Sequence, residues 1–224
     1  MPSFDIVKKS PVSNSFRVQK IKADFDVTEK SAEEHFSGKI DIPNDWNIGL
    51  IVGGSGTGKS TIAKEIFGAD LISGFIYSGK SVVDDMPDVG MDKIKKAFYA
   101  VGFASIPSWL KPYSVLSNGE KMRVDLARAM LENDFFVFDE YTSVVDRQVA
   151  QTASIAIAKA IRKTGKKFVA VSCHFDIIPW LQPDWCFNTD TMQNFFAQAH
   201  DHKNNSQSEG AVVESGQNLS VIII

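Results

Sequence analysis

The residues best suited to chemistry lie in one run, Gly53-Gly54-Ser55-Gly56-Thr57-Gly58-Lys59-Ser60-Thr61. Gly53, Gly58, Lys59 and Ser60 fall on the fixed positions of the phosphate-binding pattern G-x-x-x-x-G-K-[ST]. Glycines at these places let successive backbone N–H groups turn inward as an anion nest, where a β-carbon would crowd a phosphate. The start of the helix that follows adds partial positive charge. Lys59 has the reach for β- and γ-phosphates, and the Ser60 hydroxyl suits Mg²⁺. The chemistry implied is capture of a nucleoside triphosphate.

Such a loop works only between a strand and a helix, and both are legible. Leu50-Ile51-Val52 reads as a buried strand, and Ile62 to Phe67 continues as an amphipathic helix. Further on, Met122, Leu126, Ala129 and Met130 form an apolar stripe on a helix over 118–132, with Asp125 and Arg128 off it as an i,i+3 pair. The strand Phe135-Phe136-Val137-Phe138 then ends in Asp139-Glu140. A helix at about 146–163 and a strand over 167–172 precede His174. Strands alternating with helices predict an α/β fold with a mainly parallel sheet and its ligand groups at the carboxyl ends of the strands. The phosphate loop, Asp139-Glu140 and His174 all fall at such ends. Ahead of the loop, 16–21 and 38–42 read as strands of a small N-terminal antiparallel sheet, with Phe25, Phe36 and Trp46 as core residues or as a ring for a nucleotide base. Ser81 to Pro87 reads as a strand ending at two aspartates, and 91–101 as a helix.

The second cluster of residues narrows the class. Leu116-Ser117-Asn118-Gly119-Glu120 stands directly before the 118–132 helix, and the strand ending in Asp139-Glu140 follows it. In this order the pair resembles the ABC ATPase family: a signature motif of LSGGQ type, then a Walker B strand. Ser143-Val144-Val145-Asp146 is similar to that family's D-loop and His174 to its switch histidine. The stretches 139–147 and 171–185 resemble most closely the soluble ABC-type ATPases of bacteria and phages that are fused to a predicted acetyltransferase domain. The chain ends before such a domain would fit, which suggests a stand-alone or truncated unit. The resemblance implies a P-loop NTPase domain over 1–200 that uses ATP and Mg²⁺, with Asp139 at the metal, Glu140 polarising the attacking water and His174 reading the γ-phosphate. It further implies an ATP-dependent head-to-tail homodimer, with Ser117, Asn118, Gly119 and Asp146 of one copy completing the other's site.

Three departures accompany the likeness. Asn118 stands where the family has glycine, and asparagine tolerates the left-handed backbone a glycine would supply. Glu120 replaces glutamine and would repel a triphosphate unless turned outward to Lys121 or Arg123. No glutamine occurs between 62 and 116, so Asp84 or Asp85, with Asp84 the preferred choice, is the expected stand-in for the family's Q-loop residue near the metal. The short interval from Lys59 to Ser117 predicts a reduced helical subdomain. A membrane transporter's ATP-binding subunit and a nucleotide-binding assembly module with little hydrolysis are the alternative readings.

Composition bounds the rest. The 224 residues are 44% hydrophobic and 23% charged, with formal net charge −3, so the chain suits a globular domain and makes no electrostatic case for nucleic acid. No apolar run approaches the roughly 20 residues of a transmembrane helix. Cys173 and Cys186 give no disulfide framework, which fits a cytoplasmic protein with an unidentified protein partner. Residues 201–224 are polar and expected to be disordered, ending in Val221-Ile222-Ile223-Ile224.

Overall fold

The computed structural model describes residues 1–9, 13–27 and 33–195. The tail over 201–224 and part of the polar stretch after Thr28 therefore lie outside the described residues. At the N-terminus β1 (Ser3–Lys9) and β2 (Glu33–Lys39) pair antiparallel, with Ser3 opposite Lys39 and Lys9 opposite Glu33. The sequence expectation of a strand at 16–21 is wrong. Phe16–Asp24 is a helix, α1, capped by the Ser15 hydroxyl, which accepts from the Val18 N–H at 3.4 Å. It buries none of its residues, so the cap and local propensity, not packing, set its conformation.

The main sheet has six strands: β3 (Ile48–Val52), β4 (Leu71–Ile72), β5 (Phe135–Phe138), β6 (Lys167–Ser172), β7 (Trp185–Asn188) and β8 (Gln193–Phe195). Their order is β4-β5-β6-β3-β7-β8, parallel except where β8 returns against β7. The helices are α2 (Lys59–Phe67), α3 (Met91–Ala100), α4 (Ile106–Trp109), α5 (Asn118–Glu132), α6 (Arg147–Thr164) and α7 (Ile178–Leu181).

Because strand side chains alternate faces, each strand feeds two cores. Leu50, Phe136, Phe138, Phe168 and Ala170 face one layer, where Phe98 of α3, Leu126 of α5 and Ile157 of α6 pack on them. Ile51, Val137, Val169 and Val171 face the other, against Ile62 and Ala63 of α2 and against Phe4 and Phe36 of the N-terminal hairpin. The helices on the first face are few and short apart from α5 and α6, which is the reduced helical subdomain anticipated. Phe36 and Trp46 pack in this second core, whereas Phe25 is 71% exposed.

Residues 81–87 do not form the expected strand. Val82 is buried, but its N–H donates to the Lys111 carbonyl and that of Val83 to Trp109, so the segment is a turn with a single bridge from Ser81 to Pro112.

Candidate functional site

Parallel pairing aligns the carboxyl ends of β3, β6 and β5 side by side, and the loops that leave them meet there. The phosphate loop leaves β3 and closes on α2, whose first turn starts at Gly58 with φ +84°. A β-carbon at Gly58 would also lie 2.6 Å from the Phe36 ring, so glycine is required there by backbone and by packing. Lys59 Nζ donates to the Gly54 carbonyl at 2.5 Å. Ser60 Oγ donates to Asp139 Oδ1 at 2.8 Å, joining α2 to the tip of β5. A hydroxyl and a carboxylate oxygen in contact beside a lysine are hard oxygen donors of the kind Mg²⁺ takes, so these residues fit the ion. Ser55 and Gly56 are exposed at the loop's crest, and Thr61 is half-buried in the first turn of α2.

After Asp139 the backbone takes an uncommon course. Glu140 and Thr142 sit at φ +51° and +66°, the left-handed region that costs a non-glycine residue about 1–2 kcal/mol. The intervening Tyr141 holds the turn in place. It is fully buried, its hydroxyl meets Ser154 Oγ at 2.9 Å, and its N–H donates to the Val171 carbonyl. Ser172 Oγ donates to the Tyr141 carbonyl at 2.8 Å and accepts the His174 N–H at 3.1 Å. One serine thus ties the Asp139–Glu140 turn to the His174 loop. The Glu140 side chain projects into solvent.

The remaining expected residues are more scattered. Asp146 caps α6, accepting the Val149 N–H at 2.9 Å. Asp84 accepts from Ser81 Oγ at 2.6 Å in its turn. The cavity of about 180 Å³ beside Asp139 and Glu140 is instead lined by Ser73 and Gly74, just after β4, together with Asn118 and Ser143. Among the described residues no hydrogen bond joins Ser117, Asn118 or Gly119 to the chain's own phosphate loop.

No family model matches the chain. A curated "uncharacterized ABC transporter ATP-binding protein" of Haemophilus influenzae is 30% identical over 136 residues, 47% of this chain and 55% of the relative. The chain therefore matches about half the length of that relative. Among solved structures, an inward-facing ABC transporter of metal-chelate type superposes with TM-score 0.58 at 16% identity, over 75% of this chain and 78% of the other. A dimeric ATP-binding cassette in a post-hydrolysis state with ADP and Pi gives TM-score 0.52 at 15% identity, over 69% and 87%. The fold is that of an ABC ATPase nucleotide-binding domain.

Glu120 turns to Ser117 and Ser108. It closes a capping box at the start of α5: Ser117 Oγ accepts the Glu120 N–H at 3.3 Å, while Glu120 Oε2 accepts the Ser117 N–H at 2.9 Å and its hydroxyl at 3.0 Å. Glu120 Oε1 takes the Ser108 hydroxyl at 2.7 Å. The Ser108 bond first, then the Ser117 N–H, hold its carboxyl below the usual range. The spacing Ser-x-x-Glu is itself a capping-box signal legible in the sequence. Asn118 is the first residue of α5 and has no positive φ, so no left-handed residue is needed at that place. Gly119 does require glycine, because a β-carbon would sit 2.8 Å from Val149 Cγ1 of α6.

Asp125 is also placed otherwise than expected. It is 7% exposed and accepts from Tyr77 Oη at 2.6 Å and Tyr113 Oη at 2.7 Å, the two rings stacked 3.9 Å apart. Arg128 pairs with Glu132 instead, at 2.8 Å, and covers the Phe75 and Tyr77 rings. Burial raises the Asp125 carboxyl against the lowering of both tyrosine bonds. The segment after β4 is thereby bolted to α5, the helix that carries Ser117.

Proposed function

We propose that this chain is an ATPase unit that binds ATP with Mg²⁺, hydrolyses it, and pairs head to tail with a second copy to act on a protein partner. The observation that carries this reading is the contact of Ser60 Oγ with Asp139 Oδ1 beside Lys59, at the junction of three strand ends. In use, Lys59 exchanges the Gly54 carbonyl for phosphate oxygens, and the N–H groups from Gly56 to Thr61 face the same anion. Ser60 and Asp139 would hold Mg²⁺, which when bound neutralises phosphate charge; Asp84 joins them only by leaving Ser81. Glu140 takes the proton of the attacking water, a positioned base being worth about 10²–10⁴-fold. His174, steered by Ser172, donates to the γ-phosphate. Ser117 and Gly119 of the second copy present the start of α5 to that phosphate.

Phosphate release from ATP tests this directly. Wild type should turn over, Lys59→Ala should lose nucleotide binding, and Glu140→Gln should bind ATP with turnover reduced at least about a hundredfold. Equal turnover in all three refutes the reading.

A second reading, the ATP-binding subunit of a membrane transporter, is supported by the Haemophilus influenzae relative. Among the described residues no helix is long and apolar enough to cross a membrane, so such a subunit would need a separate membrane partner. Recovery with a membrane protein cross-linked to the native chain would favour this reading over the first.

A further inference from the structure

The turn between β7 and β8, outside every recognised motif, is built into the phosphate loop. Thr189 is buried, donates its N–H to the Val52 carbonyl at 2.8 Å, and sets its Oγ1 2.6 Å from Thr57 Oγ1. The Asp190 N–H bonds Asn188 Oδ1 at 2.8 Å. Its carboxylate faces Gly54, whose N–H donates to Oδ1 at 2.9 Å and Oδ2 at 3.1 Å. The carbonyl of the same Gly54 accepts from Thr57 Oγ1 at 2.9 Å and Lys59 Nζ at 2.5 Å.

Two glycines make room for this turn. A β-carbon on Gly53 would lie 2.2 Å from Thr189 Oγ1, and one on Gly54 3.3 Å from Asp190 Oδ1. Their missing side chains serve the approach of Thr189 and Asp190, a segment about 136 residues away in sequence.

We propose that Asp190, seated by Thr189, is a positioning residue for the phosphate loop, holding the Gly54 peptide so that Lys59 and the loop N–H groups are preset for a polyphosphate. This rests on the nucleotide reading above. An anionic side chain near that site has two opposed effects, bracing the loop by accepting an N–H and repelling phosphate by its charge. Asparagine separates them, because it retains an acceptor oxygen and loses the charge.

The test is titration of the full chain with a fluorescent ATP analogue and Mg²⁺, and with ADP, for wild type, Asp190→Ala, Asp190→Asn and Lys59→Ala, with thermal melts to confirm folding. Asp190→Ala should weaken ATP and ADP alike by about three- to tenfold, the range of one net hydrogen bond. Its turnover should fall mainly through KM. Asp190→Asn should recover most of the lost affinity. Asp190→Ala binding as wild type or tighter, or Asp190→Asn as weak as Asp190→Ala in folded protein, overturns the proposal. If wild type fails to bind, or Lys59→Ala binds equally well, the nucleotide reading itself fails. Loss in Lys59→Ala without loss in Asp190→Ala overturns only the role of Asp190.

Discussion

Glu120→Gln removes one negative charge and almost no volume, which makes it a clean probe of the Ser117 cap. The carboxylate accepts three hydrogen bonds, from the Ser117 N–H, the Ser117 hydroxyl and the Ser108 hydroxyl. A glutamine oxygen keeps the Ser117 pair and turns its NH₂ toward Ser108 Oγ. Only the difference between charged and neutral acceptors is lost, about 1 kcal/mol after solvent screening. For a chain of this size that lowers the melting midpoint by about 2–4 °C. Glu120→Ala is worse. It deletes half of the capping box and leaves the buried Ser108 hydroxyl with only Ser105 at 3.2 Å, for a loss of about 2–3 kcal/mol. The effect on assembly has the opposite sign for glutamine. Under the proposed head-to-tail pairing, the Ser117 proton, which in the wild type points at the Glu120 carboxylate, must leave it to donate to an incoming phosphate. Weakening that bond by about 1 kcal/mol tightens ATP-dependent association about fivefold. Sedimentation velocity with ATP and Mg²⁺, on a background of Glu140→Gln, reads the association while melts read stability. Weaker association in Glu120→Gln than in the parent, or no change in either quantity, refutes the reasoning.

Asp125→Ala should cost about 3–4 kcal/mol in urea unfolding, since it strands the hydroxyls of Tyr77 and Tyr113. A double-mutant cycle with Tyr113→Phe should show coupling, and simple additivity would refute the clamp. The pH dependence follows from the direction of the Asp125 shift. Its raised carboxyl stabilises the fold fully below the ordinary carboxyl pKa and loses that contribution as pH rises through the raised value. Glu120 runs the other way: its lowered carboxyl contributes above the ordinary range and loses that contribution as pH falls. Asp125→Asn should therefore remove part of the decline in melting temperature on leaving the acid range, and an unchanged slope would contradict the burial argument. Asp139→Asn should raise the Mg²⁺ needed for half-maximal turnover by about 10–100-fold, judged from losses typical of altered metal shells; an unchanged Mg²⁺ requirement would remove Asp139 from the metal.

The elements legible in sequence were those whose pattern is local. The strand at 135–138 and the helix over 118–132 appeared where periodicity placed them, and the phosphate loop was marked by its own glycines. Phe16–Asp24 misled because Phe16, Val18 and Ile21 fit a short strand as well as a helix; the Ser15 cap decides it. β4 is two residues long and is held by its neighbour β5, so no period could reveal it. Val82-Val83 resembles a strand in composition, yet its partners are the carbonyls of Lys111 and Trp109 in an irregular loop. The support around the site was hidden for a similar reason. Tyr141, Ser172, Thr189 and Asp190 act through contacts between segments distant in the chain, and a single sequence carries no mark of such pairings. Glu120 differs, since the Ser-x-x-Glu spacing of its capping box is local in the sequence.

The most direct test is the solution mass of Glu140→Gln with and without ATP and Mg²⁺, alone and combined with Ser117→Arg. A grip on the phosphate from two copies predicts a monomer without nucleotide, a dimer with ATP and Mg²⁺, and loss of that dimer on Ser117→Arg. A protein that binds ATP yet stays monomeric at every concentration, or a dimer indifferent to Ser117→Arg, would contradict it.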